Sequence, residues 1–276
     1  MERHAWGEDG RRIVVDLTFL GTGTSTGVPV IGCDCATCRS TDPRDSRLRA
    51  SVLIRAGGTT LLVDTSPDLR AQMLSARPPR IDAVLYTHAH ADHTAGLDEL
   101  RRFNVMQAER IPVWSTLETA GDLERRFAYA FDHAFSFFGG KPDLDLNTFE
   151  PGSSFDVNGV AVVPVPVQHG WLPIVGFRIG GLAYLTDVKT IPEESVPLLR
   201  GADVLVLTAL RKKEHVAHMN LDEALAAVEV LQPRRALLTH MAHDIGLHAD
   251  VAATLPANVE LAVDGQEIAG IPETWR

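Results

Sequence analysis

Three cysteines in 276 residues are too few for a disulfide scaffold, and all fall between positions 33 and 38, too close together to staple distant segments. No apolar run approaches the roughly 20 residues of a membrane-spanning helix. Met1 to Trp6 lacks the apolar core of a secretory signal, so the expected location is the cytoplasm, with no membrane partner. Basic charge is in deficit: 26 Lys and Arg stand against 36 Asp and Glu, a formal net charge of -10. The average field therefore disfavours a large nucleic acid as partner, although a local metal-centred cleft can still be positive. No linker or low-complexity tract divides the chain, and its 45% hydrophobic content is ample for a packed core, so residues 1–276 read as one domain.

The chemistry is concentrated in Thr87-His88-Ala89-His90-Ala91-Asp92-His93. His88, His90 and His93 offer neutral imidazole nitrogens and Asp92 adds a hard oxygen, a mixture that suits zinc, manganese or iron. Ala83 to Tyr86 is short, apolar and bounded by Thr87, the pattern of a buried strand ending at the ligands. The loop leaving it can turn His88 and His90 to one side and Asp92 and His93 to the other, feeding two adjacent ions. A polar turn of solvated histidines is the bland reading, and for a single histidine it would prevail. H-x-H-x-D-H at a strand end is far more restrictive.

Four ligands cannot complete two ions, and three further candidates follow other apolar runs. His169 comes after Val162 to Val167, Asp187 after Ala183 to Thr186, and His240 after Ala236 to Thr239. Each alone reads as structural or solvent-facing, but the repeated strand-then-ligand pattern places them on one rim. Asp64 ends the second strand of a predicted hairpin, Ala50 to Ile54 and Thr60 to Asp64 around Gly57-Gly58, and so reaches the same rim. There it reads equally as an ordinary strand-end aspartate or as the partner of a metal-bound histidine. His215 and His218 lie on a segment able to hang over a cleft, and either can supply the proton that an alkoxide leaving group needs. Arg55, Lys189, Arg211, Lys212 and Lys213 are candidates to hold a second phosphate, and equally read as solvated surface charges.

Cys33-Asp34-Cys35-Ala36-Thr37-Cys38 is C-x-C-x-x-C, three soft ligands able to surround one tetrahedral zinc. The fourth ligand is not local, and His243, three residues past His240, is the candidate. A helical turn there would aim the two imidazoles at separate ions. The closed Cys3His site would tie an N-terminal loop to the C-terminal rim.

Ile13 to Leu20 predicts a strand entering Gly21-Thr22-Gly23-Thr24. That loop lacks the P-loop lysine and the G-x-G-x-x-G spacing, so a bend around the sheet edge is favoured over a phosphate cradle. Ser66 with Pro67 predicts the start of a helix through Leu69, Met73 and Leu74. Ser115 with Glu118 predicts a capping box for a helix through Leu123, Phe127 and Ala130, and Asn220 with Glu223 another for Leu221 to Leu231. A further helix is expected at Ile191 to Leu199, and strands at Val160 to Val167, Ile174 to Ile179, Leu182 to Thr186 and Val204 to Leu207. Phe131 to Glu150 is the least regular stretch, and Phe131, Phe135, Phe137 and Phe138 ahead of Gly139-Gly140 suit a substrate lid, a dimer contact or a core plug. Strands alternating with helices in both halves fit two sheets covered by helices.

The H-A-H-A-D-H run resembles the signature of the metallo-beta-lactamase superfamily, which implies a four-layer αββα sandwich with two metals in a cleft between its sheets. The order His169, Asp187, His240 matches that superfamily's later motifs. By the resemblance, His88, His90 and His169 hold one ion, Asp92, His93 and His240 hold the other, Asp187 bridges them, and Asp64 supports a ligated histidine. Gly21-Thr22-Gly23, Gly27-Val28-Pro29, the cysteine loop and Thr239-His240-Met241-Ala242-His243 are together similar to the phosphodiesterase family of the carbon-phosphorus lyase pathway. That likeness implies a homodimer with two active-site ions, often manganese with zinc or iron also open, and one structural zinc. It implies a small, cyclic phosphodiester substrate attacked by a metal-bridging hydroxide, and it favours His218 as general acid. The tRNA 3'-end endonucleases are relatives that carry an extended arm not found here. Two segments depart from the family pattern: the material around Phe131 to Glu150, and Trp171-Leu172-Pro173. Two alternatives stand beside this reading. One is hydrolysis of a carboxylic ester, lactone or thioester, with less need of His218. The other is a non-catalytic cofactor-biosynthesis accessory protein resembling the pyrroloquinoline quinone B protein, against which the intact seven-ligand set argues.

Overall fold

The structure, a computed structural model, describes residues 14–134 and 140–273. In chain order its strands begin with β1 (Val14–Gly21), β2 (Ser51–Ala56), β3 (Thr59–Val63), β4 (Ala83–Leu85), β5 (Ile111–Ser115) and β6 (Leu144–Thr148). There follow β7 (Phe155–Val157), β8 (Val160–His169), β9 (Leu172–Ile179) and β10 (Leu182–Leu185), then β11 (Val204–Thr208), β12 (Arg235–Thr239), β13 (Val259–Leu261) and β14 (Glu267–Pro272). They form two seven-stranded sheets, β14-β1-β2-β3-β4-β5-β6 and β13-β12-β11-β10-β9-β8-β7.

Side-chain alternation decides how the sheets stack. Val15, Leu17 and Phe19 of β1, Val52 and Ile54 of β2, and Val175, Phe177 and Ile179 of β9 point into one core between the sheets. On the other face of the first sheet Leu53, Leu62 and Val84 meet Leu69, Leu100 and Leu123 from covering helices. On the outer face of the second, Leu205, Leu207 and Leu238 meet Ala224, Val228 and Leu231 of the helix Leu221–Leu231. The layers are helix, sheet, sheet, helix, the αββα sandwich expected. Strands covered on both faces favour apolar residues over alternation, which is why β3, β4, β10 and β11 are unbroken buried runs, with threonine only at the ends of β3 and β11.

The two sheets repeat one pairing scheme. From β14 to β3 and from β7 to β10 neighbours are antiparallel; from β3 to β6 and from β10 to β13 they are parallel. The parallel strands deliver their C-terminal ends to one rim, where the Val175 N–H on β9 donates across to the Thr87 carbonyl at 3.2 Å.

Several helix starts differ from expectation. The helix Leu69–Ala76 begins after Asp68 without a side-chain cap; the Ser66 hydroxyl instead accepts from the Asp68 N–H at 3.1 Å and donates to Gln72 at 3.0 Å. The helix Leu117–Arg126 is capped by Thr116, whose hydroxyl accepts from the Thr119 N–H, because Ser115 is still held in β5. Asn220 and Glu223 form the expected reciprocal box, at 2.8 and 2.9 Å. Ile191 to Leu199 is only a 3-10 turn and a four-residue helix, since Pro192 and Pro197 remove backbone donors. Within the stretch expected to be irregular, β6 is a paired strand and Phe131 packs on the first sheet's helical side; Phe135, Phe137, Phe138 and Gly139 lie outside the described residues.

The glycine loop leaving β1 crosses from one sheet to the other rather than bending around an edge. Gly23 N–H donates to the Leu48 carbonyl at 2.8 Å and the Thr22 carbonyl accepts from Met241 N–H at 2.9 Å, so the loop braces the residue after His240. A side chain at Gly23 would meet the Arg47 carbonyl at 2.9 Å. Among the described residues no helix is long and apolar enough to cross a membrane.

Candidate metal centre

All seven rim candidates converge. His88, His90, Asp92 and His93 leave β4, His169 ends β8, Asp187 lies two residues past β10, and His240 is the first residue past β12. The nearest ligand atoms of His88, His90 and His169 lie within 4.8 Å of one another, as do those of Asp92, His93, Asp187 and His240. The loop therefore divides as its sequence suggested, His88 and His90 to one group and Asp92 and His93 to the other. Asp187 makes the contacts of a central carboxylate: one oxygen is 3.0 Å from His93 Nε2 and the other 3.2 Å from His240 Nε2.

Hydrogen bonds behind the cluster fix which nitrogen faces it. His93 Nδ1–H donates to Asp64 Oδ2 at 2.7 Å. His169 Nδ1–H donates to the Ala217 carbonyl at 2.7 Å. His88 Nδ1–H reaches Thr87 Oγ1 at 3.0 Å, and that hydroxyl donates on to Asp64 at 2.9 Å. Each leaves Nε2 turned inward. The Nε2 atoms of His88, His93 and His240 are buried with no hydrogen-bond partner. Such nitrogens are costly unless something else occupies them, and the 3.0 to 3.6 Å between Nε2 of His93 and His240 and the oxygens of Asp92 and Asp187 matches the edge of roughly 3.4 Å expected between tetrahedral ligands of a zinc-like ion. The donor set thus fits divalent cations.

The electrostatics point the same way. Burial opposes a charge on His93, yet the carboxylates of Asp187, Asp64 and Asp92 hold its pKa well above the usual histidine value. Burial would raise Asp187, but His240 and His93 hold it well below the carboxylate range. His88 is pushed down by burial and by His93. These opposed shifts mark a place among crowded carboxylates that favours positive charge, the place a cation would take.

Asp64, Asp187 and His240 share a left-handed backbone, with φ of 62°, 61° and 57°. Aspartate tolerates this region, while for histidine it costs on the order of 1 kcal/mol. The turn redirects the chain at each strand end.

The cysteine loop closes on the residue expected. Sγ of Cys33, Cys35 and Cys38 stand 3.3, 3.3 and 3.4 Å from His243 Nδ1. A backbone N–H from Cys38 lowers the Cys35 thiol to about 6, while burial pushes Cys38 up to about 11. Three thiol sulfurs and one imidazole nitrogen at these separations fit one tetrahedral ion, and His243 opens a 3-10 turn rather than an α-helical one.

Of the two candidate acids, His218 covers the cluster. Its ring centroid is 4.5 Å from His169 and 4.9 Å from His240, with Nδ1 3.6 Å from Asp187. His215 lies outside it, 5.0 Å away, its Nδ1 accepting from Ala217 N–H. Burial and then His240 push His218 down to about 3, against the pull of Asp187.

The structure also gives roles that sequence reasoning missed to residues it had named. Thr87 joins Asp64 to His88, although Thr239, in the same Thr-His pattern, has no partner for its hydroxyl. Arg211 donates to the carbonyls of Lys213 and Glu214 and pairs with Asp244 at 3.5 Å, bracing the loop that carries His218. Arg211 and Lys189 are therefore engaged, Lys189 with Glu223 at 2.6 Å, and Arg55 lies on β2 beside Thr18. Arg211, expected as a phosphate-holding candidate, is instead a brace for the loop that carries His218.

A family model described as the beta-lactamase superfamily domain matches residues 59–241. A protein named octanoyltransferase from Porphyromonas gingivalis is 37% identical over 251 residues, which are 90% of this chain and 50% of that protein. The chain thus spans half the length of that curated relative. A ribonuclease Z from Mycobacterium marinum is 27% identical over 216 residues, 72% of each chain. Among solved structures, one described as a new diphosphatase from the PhnP family superposes with a TM-score of 0.87 at 39% identity, covering 94% of this chain and 99% of that one.

Proposed function

The chain belongs to the beta-lactamase superfamily and, within it, to the PhnP family, and from that membership we propose that it is a metal-dependent phosphoric diester hydrolase acting on small phosphodiesters, cyclic ones among them. The observation that carries the reading is the set of buried, partnerless imidazole nitrogens packed around Asp92 and Asp187.

His88, His90 and His169 would hold one divalent ion and Asp92, His93 and His240 a second, with Asp187 between them. When bound, such ions supply a water of lowered pKa and positive charge for the phosphoryl oxygens. Asp64 keeps the proton of His93 on Nδ1, and the Ala217 carbonyl does the same for His169. His218 delivers a proton to the departing oxygen; a phosphate anion arriving beside it raises its pKa, which burial and His240 otherwise hold down. Manganese or zinc suits the histidine and carboxylate set, with iron also compatible, and Cys33, Cys35, Cys38 and His243 suit a structural zinc.

We read residues 1–276 as one domain, its first described strand paired with its last, working as a cytoplasmic homodimer. The acidic net charge sets long RNA aside as a substrate.

The test is hydrolysis of bis-p-nitrophenyl phosphate by metal-defined protein, wild type against Asp187→Ala, alongside a carboxylic ester and a lactone. Diesterase activity that depends on Asp187 supports the proposal. The likeness to an octanoyltransferase favours a second reading, acyl ester or thioester hydrolysis, and turnover of only the ester or lactone would install it instead.

A further inference from the structure

A groove of about 340 Å³ opens beside the metal-ligand rim. One wall is formed by Leu117 and Phe149, which follow the ends of β5 and β6; these strands run parallel to β4 and so open at the same end as His88. The other wall is formed by Pro166, Pro173 and Val175 of β8 and β9. Two links join the groove to the metal ligands: Gln168 lines it and precedes His169, and Val175 is bonded to Thr87, which precedes His88. Both segments that depart from the family pattern, Trp171-Leu172-Pro173 and the stretch ending at Glu150, contribute to it.

Its chemistry is one-sided. The walls are mostly apolar, and three of the lining residues, Pro151, Pro166 and Pro173, are prolines with no N–H to offer. Leu117 is 76% exposed, a large apolar side chain left in water at the first position of its helix. The charged residues in the lining are Glu118 and Glu150, and no lysine or arginine stands among them.

We propose that this groove is a specificity site that takes a neutral, largely apolar arm of the substrate, of the size of one aromatic ring or a short alkyl chain, esterified to the phosphate held at the metal centre. The inference rests on the phosphodiesterase reading and narrows it. A phosphate at the rim must send its ester groups outward, and the groove lies beside it, lined by Gln168, which precedes His169, and by Val175, which is bonded to Thr87. A second phosphate placed there would face Glu118 and Glu150 with no countercharge, so an anionic arm is excluded. The volume falls in the range that encloses a small ring or chain.

The experiment is calorimetric titration of metal-loaded protein with methyl phosphate, phenyl phosphate and 4-carboxyphenyl phosphate. Burial of the ring should make phenyl phosphate bind roughly tenfold tighter than methyl phosphate, and the added carboxylate should remove that advantage. In Leu117→Glu, a substitution at an exposed side chain, the phenyl-to-methyl ratio should fall to about one. Leu74→Glu, at a side chain 58% exposed on another helix, should keep the ratio. Equal affinities for the three esters, or a ratio unmoved by Leu117→Glu, would overturn the proposal. Because the preference is read from binding, it fails separately from the diesterase assay.

Discussion

Asp64→Asn isolates the orientation of His93. The carboxylate accepts three hydrogen bonds: from Thr87 N–H at 2.9 Å, from Thr87 Oγ1 at 2.9 Å and from His93 Nδ1 at 2.7 Å. Asparagine adopts the left-handed backbone at this position, φ 62°, as readily as aspartate, so the strand end is not disturbed. It has one acceptor oxygen where two are needed. With that oxygen on the Thr87 N–H, the amide NH2 confronts His93 Nδ1, and the imidazole must move its proton to Nε2, the atom 3.0 Å from Asp187. A protonated Nε2 cannot ligate. With the amide reversed, the buried Thr87 N–H loses its acceptor, at a cost of about 1–3 kcal/mol. Loss of such a supporting contact weakens metal binding roughly 10- to 100-fold, about 1.4 to 2.7 kcal/mol. The measurement is competition against a chelator of known affinity, with circular dichroism confirming the fold. Thr87→Val, which removes one donor but keeps the carboxylate, should cost less than about tenfold. Unchanged metal affinity in Asp64→Asn would refute the argument and leave Asp64 an ordinary strand-end aspartate.

His218→Gln should slow hydrolysis of alkyl diesters roughly 10²- to 10⁴-fold and of p-nitrophenyl diesters much less, since nitrophenoxide leaves without a proton. Only the wild type carries an acid that deprotonates as pH rises, so the ratio of wild-type to variant rate on an alkyl diester should fall with increasing pH, and a flat ratio would remove the histidine from proton transfer. Cys35→Ser should lower metal content by about one ion per chain, and each kcal/mol of lost stability should lower Tm by about 2–4 °C; elemental analysis and thermal unfolding check this, and full metal content would count against the Cys3His site. Arg211→Ala should release the carbonyls of Lys213 and Glu214 and reduce kcat on alkyl diesters roughly tenfold, with little further effect in a His218→Gln background. Additive losses in the double variant would mean that Arg211 does not act through His218.

What the sequence revealed about this site follows the reach of its signals. His88, His90, Asp92 and His93 were legible because a strand and its ligands are contiguous, and His169, Asp187 and His240 because each ends an apolar run. Cys33, Cys35 and Cys38 announced themselves by spacing, and His243 by proximity to a ligand. Helix starts slipped by a few residues where several hydroxyls or carboxylates competed: Thr116 rather than Ser115, and Asp68 rather than Ser66. Thr87 as the link between Asp64 and His88, Ala217 as the acceptor for His169, and the groove beside β8 were not legible, because each depends on contacts between segments far apart in the chain. The left-handed turns at Asp64, Asp187 and His240 left no mark in composition either.

The repeated pairing scheme explains why the ligands gather where they do. In each sheet the first parallel strand is followed by an aspartate in left-handed conformation, Asp64 after β3 and Asp187 after β10, but the two have diverged in task. Asp64 is fully buried behind His93 and spends its oxygens on Thr87 and that histidine, whereas Asp187 turns its oxygens toward His93 and His240. The first half of the chain contributes His88, His90, Asp92 and His93, and the second contributes His169, Asp187 and His240, so neither half holds a complete set. Both groups form only when the inter-sheet core built from Phe19, Val52, Phe177 and Val206 has docked one sheet on the other. Metal affinity and the packing of that core are then two readings of the same docking: a cation that binds across the seam favours the closed sandwich, and the sandwich holds the imidazoles at the spacing the cation needs.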